Sequence, residues 1–89
     1  MTKPFDMEVF LTGVLKGANA TRERHIRQAR AIQAAIADRW ARDNPWRWQL
    51  KHLAWFLNCY LAKHTDSTRY YYLLTIRLID TRMSRGWRL

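Results

Sequence analysis

Arginine is the residue type in this chain with the most chemistry to offer. Four of its 16 basic residues are Lys (Lys3, Lys16, Lys51 and Lys63), and the remaining 12 are Arg. A guanidinium is always charged, and its planar fork matches a phosphate or stacks on a flat ring. Arg24, Arg27 and Arg42 fall opposite the apolar stripe of one helical segment, with Arg30 adjacent, so this row could follow a phosphate backbone. Asp38 is the main acid on that face, which leaves the cations short of i,i+4 partners. Arg47 and Lys51 continue the basic character into the next segment. Arg24, Arg27, Arg30, Arg42, Arg47 and Lys51 are therefore the candidate nucleic-acid contacts. A solvated face that keeps the protein soluble is the plainer reading of the same side chains.

Trp48 and Trp55 are the second group of interest. Seven residues apart, they share a face of the predicted third helix with Lys51, His52 and Cys59 nearly opposite its main apolar face. Such rings could stack bases. They could equally form a homodimer seam or a contact with an acidic protein partner, or pack inside the domain.

Enzymatic chemistry finds little support. Cys59 and His52 lie seven apart with His64 nearby, but no orienting group or oxyanion site accompanies them. His25, His52, Cys59 and His64 lack the short paired spacing of a metal site. No glycine-rich phosphate loop occurs. The expectation is a protein with no catalytic residues, no metal and no cofactor.

Four helical segments must position these residues. The first is expected over about 5–16, starting at Pro4 or Phe5, with Phe5, Val9, Phe10 and Val14 at helical spacing and Gly17 as the stop. The second runs over about 22–42 with Thr21 as N-cap; Ile26, Ala29, Ile36 and Trp40, with Ile32 beside them, form its apolar stripe. The third runs over about 45–63, capped by Asn44 and begun by Pro45, with a main apolar face of Trp46, Leu50, Leu53, Leu57 and Leu61. The fourth runs over about 68–84. It has two apolar faces, one of Tyr70, Tyr71, Leu74 and Leu78 and one of Tyr72, Ile76, Ile79 and Met83, which predict a central helix. A strand through Tyr70–Ile76 is the competing assignment, disfavoured by the four-residue spacing.

Eighty-nine residues suffice for one small all-α domain, 1–89, with a thin stability margin. A net charge of +9 calls for a polyanionic partner. One cysteine suits a reducing compartment, the N-terminus lacks signal-peptide features, and no apolar run would span a bilayer. The expected setting is cytoplasmic, without a membrane.

Leu53-Ala54-Trp55-Phe56-Leu57, then Leu61, a polar loop, and Thr68-x-x-x-Tyr72-x-x-x-Ile76-x-x-Ile79 before Gly86-Trp87 carry a resemblance. Over about residues 50–87 the chain resembles the N-terminal core-binding (SAM-like) domain of tyrosine recombinases and phage integrases. That resemblance implies a compact bundle of four or five helices that clamps one side of a DNA duplex. The family's catalytic Arg, His and Tyr motifs have no counterpart here. The functional expectation is a basic accessory or regulatory protein of a bacterial mobile element that binds nucleic acid, duplex DNA foremost. The contrasting expectation is a protein-interaction module, dimeric or bound to an acidic partner, with Trp48 and Trp55 at the contact.

Overall fold

The computed structural model describes residues 5–89. The expected start of the first helix at Pro4 lies outside them. Four α-helices make up most of the described chain, with no strand among those residues: α1 (Met7–Leu11), α2 (Asn19–Trp40), α3 (Leu50–Trp55) and α4 (Asp66–Met83). The segment Tyr70–Ile76 is helical, as its four-residue spacing requires.

Two helices stop or start where local chemistry dictates. α1 is capped by Asp6, whose Oδ1 accepts from Val9 N–H at 3.2 Å. It ends five residues earlier than expected: Thr12 turns its hydroxyl back onto Glu8 O at 2.9 Å and a turn through Gly13 follows. α2 begins at Asn19, so Thr21 lies inside the helix and does not cap it. Gly17, at φ +94°, supplies the left-handed residue that redirects the chain into α2. α2 ends at Trp40 because Ala41 turns left-handed (φ 57°), its N–H bonded to Ala37 O at 2.8 Å. Arg42 therefore stands beyond the helix.

The third expected helix is broken. A 3-10 turn spans Pro45–Arg47, Trp48 and Gln49 are extended, α3 covers six residues, and a π-turn follows over Phe56–Tyr60. The break follows from Trp48: its indole is buried, and its Nε1–H donates to Arg42 O at 2.7 Å. A continuous helix would carry that ring away from this acceptor. His52 restarts the helix by accepting Gln49 N–H at Nδ1, 2.8 Å away, in the manner of a capping box. The π-turn adds a residue to the last turn, closed by Leu61 N–H to Phe56 O at 3.0 Å. Leu53, Phe56, Leu57 and Leu61 all reach the core, whereas Trp46 and Leu50 of the expected apolar face are exposed.

The core is one cluster. Met7, Phe10 and Leu11 of α1, Ala29, Ile32, Ala35 and Ile36 of α2, and Ile76, Ile79 and Met83 of α4 meet Trp48, Leu53 of α3, Phe56 and Leu57 of the π-turn, and Leu61. α2 and α4 share the centre, since each packs against α1, against the other and against the π-turn. Helix four is thus not alone at the middle: its Tyr72–Met83 face is largely buried, while Tyr70 and Tyr71 of the other face are exposed. α1 bridges both long helices. Gln33 Nε2 donates to Phe5 O and to Asp43 O at 2.9 Å each, and Arg82 Nε donates to Phe10 O at 3.0 Å.

Candidate functional site

The segment Arg42–Trp48 carries Arg42 and Arg47 and is reached by two further arginines from the C-terminal part of the chain. Asn44 Oδ1 caps its 3-10 turn by accepting Trp46 N–H at 3.0 Å, with Pro45 in the first position. Arg42 closes the segment from both sides. Its carbonyl takes the Trp48 indole proton, and its Nη1 donates to Arg47 O at 3.0 Å. From the end of α4, Arg85 reaches across with both terminal nitrogens, Nη1 to Trp48 O and Nη2 to Trp46 O. Arg82 lies over Trp46, 5.3 Å from the ring centroid, and over Phe10 at 5.4 Å. Arg47 itself is exposed. Four guanidiniums, those of Arg42, Arg47, Arg82 and Arg85, thus belong to one turn and the Trp46 indole at its tip.

The electrostatic point lies in what these arginines bond to. Arg42, Arg82 and Arg85 donate to neutral main-chain carbonyls, which orient a guanidinium without cancelling its charge. Asp43 and Asp80, the nearest acids in sequence, accept main-chain N–H groups of Phe5 (3.1 Å) and Trp87 (3.2 Å). Among the described residues one ion pair forms, Arg30–Glu8 at 3.5 Å. The imidazole of His52 registers the local field. Its pKa is held below the ordinary histidine value by burial first, then by the positive charges of Arg42 and Lys51.

The α2 row does not form as drawn from the sequence. Arg24 is half-buried and stacked on Tyr71, 4.6 Å from the ring centroid; its Nε is buried without a hydrogen-bond partner among the described residues. Arg30 is drawn to Glu8 on α1. Arg27 remains exposed on the helix. Arg42 is lost to the turn because α2 ends two residues before it. Lys51, on α3, is exposed.

Trp48 and Trp55 do not share a face either. Trp48 is 0% exposed and precedes α3, so no partner can reach it. Trp55 is half-buried, edge-on to Trp40 (5.0 Å, 85°) with Arg39 5.3 Å from its centroid. Trp46, Arg82 and Arg85 were missed by sequence reasoning. Trp46 sat at a core position of the assumed long helix, and the two arginines lie near a helix C-terminus, where cations are favourable for purely local reasons. The one signal available was Asn44-Pro45, which marks a helical start but not its length.

A polar seam joins α2 and α4 inside the fold. The Thr75 hydroxyl donates to Gln28 Oε1 at 2.8 Å, leaving its oxygen to accept from His25 Nδ1–H, also 2.8 Å away. The His25 pKa is lowered by burial and then by Arg24. Among the described residues no group of three or more His, Cys, Asp or Glu could hold a metal ion, and no helix is long and apolar enough to cross a membrane. Comparison with family models, with curated proteins and with solved structures returned no match.

Proposed function

We propose that this chain is a small non-enzymatic nucleic-acid-binding protein, and that it grips the phosphate backbone of duplex DNA through the arginines of the Arg42–Trp48 turn. The observation that carries this reading is the mode in which those guanidiniums are held. Carbonyl partners fix the guanidiniums of Arg42, Arg82 and Arg85 before any ligand arrives, Arg47 stands exposed beside them, and the positive charge stays available to an anion. The net charge of +9 supplies the long-range attraction. An accessory role in a mobile element, suggested by the resemblance of residues 50–87 to integrase core-binding domains, fits the same reading. A protein-interaction module built on Trp48 and Trp55 is less well supported, because Trp48 is buried.

Fluorescence anisotropy with a labelled duplex at several salt concentrations tests it. Four phosphate contacts predict log affinity falling against log salt with a slope of about −3 to −4. R47A, which removes an exposed side chain, should reduce the slope by about one for every duplex sequence. Binding that vanishes by physiological salt would overturn the reading.

A further inference from the structure

Trp46 combines two properties that packing alone does not explain. It is 42% exposed in a domain small enough to need every buried ring, yet it is held still. Phe10 meets it edge to face at 5.6 Å and 87°. Arg82 lies over it and is itself tied to Phe10 O at 3.0 Å. Its main chain is fixed at both ends, the N–H by Asn44 and the carbonyl by Arg85. A rigid, half-exposed indole among fixed guanidiniums is the combination that single-strand binders use, with a ring for the base and cations for the phosphates on either side.

We propose that Trp46 stacks on an unpaired nucleobase, and that the ligand is a single-stranded nucleic acid or the single-stranded flank of a duplex. This rests on the nucleic-acid reading above and adds its substrate class. Bases inside a duplex have both faces covered by their neighbours, so an indole can stack only where a face is free. Arg42 and Arg47 then neutralise the phosphates beside the stacked base. The other exposed aromatics differ: Tyr70 and Tyr71 pack on each other with the single guanidinium of Arg24 over the Tyr71 ring, and Tyr60 stacks on Phe56 at 4.9 Å.

The test uses the full chain and three probes: an oligothymidylate of roughly a dozen nucleotides, a blunt duplex of similar length, and that duplex with a short overhang. Trp46→Ala should weaken oligothymidylate and overhang binding by about 5- to 150-fold, since stacking contributes about 1–3 kcal/mol per base. Blunt-duplex affinity should change less than about twofold, and the salt slope should stay the same, because no phosphate contact is removed. Trp46→Phe keeps a ring in place. It should retain most of the single-strand affinity while losing the tryptophan quenching that oligothymidylate causes in the parent protein. Should W46A not fold, that quenching comparison decides the question by itself. Equal losses on oligothymidylate and blunt duplex, or quenching undiminished in W46F, would overturn the stacking role. A parent protein that binds the duplex but not the oligothymidylate would overturn it too and leave the nucleic-acid reading standing. Binding to none of the three probes would overturn both.

Discussion

Two groups of arginines lie on either side of the end of α2, and they are held in different ways. Those on the helix, Arg24, Arg27 and Arg30, project from regular backbone and meet whatever side chain is near: Tyr71, solvent and Glu8 in turn. Those beyond it gather at an irregular turn: Arg42 and Arg85, the latter just past α4, donate to its carbonyls, Arg82 of α4 is tied to Phe10 O and lies over Trp46, and Arg47 is exposed. The same residue type thus serves opposite ends. Along α2 the neighbouring carbonyls are bonded within the helix, so Arg24, Arg27 and Arg30 find side-chain partners or none. Around a broken segment the free carbonyls recruit guanidiniums, which concentrates charge where the chain is least regular.

The largest expected effect breaks the turn itself. Trp48→Ala removes a fully buried indole and its bond to Arg42 O, and should cost about 3–5 kcal/mol. A domain with a margin near 5 kcal/mol would be left with about 0–2 kcal/mol. Urea unfolding followed by circular dichroism checks this. A loss below about 1 kcal/mol would mean that the turn does not depend on its anchor.

A smaller effect sharpens the contrast between the two groups. Arg85→Ala removes two bonds to turn carbonyls and should destabilise by about 1–3 kcal/mol. Arg27→Ala should lie within about 0.5 kcal/mol of the parent, because the residue is exposed and its guanidinium has no hydrogen bond or ion pair among the described residues. Equal losses at both positions, read from urea midpoints, would erase the distinction.

The smallest effect is expected from pH. His25 and His52 both titrate below the ordinary histidine value of 6.5 because burial opposes their charged forms. Below about pH 6.5 the unfolded chain therefore takes up protons that the folded chain resists. Stability should fall as pH drops through that value and return as it rises. His52→Gln keeps an acceptor for Gln49 N–H while removing one titrating group, so it should flatten the dependence. Stability that rises on acidification from about pH 7 to about pH 5 would contradict the assignment of neutral buried imidazoles.

Much of the fold was legible because it is local. The spacing of Ala29, Ile32 and Ile36, and of Ile76, Ile79 and Met83, follows from helical geometry, and each of these residues is buried. The all-α class followed from the same periodicity. The break at Trp48 and Gln49 was not legible, because it depends on competition between a regular helix and an indole seeking Arg42 O. The candidate site lay further still from local rules. Arg85 and Trp46 are 39 residues apart, and Arg82 and Phe10 are 72 apart, so nothing in their neighbourhoods could announce the meeting. Arg42 and Arg47 were identified as basic contacts, but by way of helices that end before or start after them.

The comparison between the two arginine groups can be put to DNA directly. R42A/R47A and R22A/R27A each remove two positive charges, so both variants carry the same net charge. α2 places Arg22 about 25 Å or more from the turn. Salt titrations of duplex binding by the two variants and the parent give three slopes. The account predicts that the R42A/R47A slope is shallower than the parent's by about two, and that R22A/R27A keeps the parent slope with only a modest, uniform loss of affinity. Equal changes in slope for both variants would show that binding reports net charge alone and would contradict a phosphate site at the Arg42–Trp48 turn.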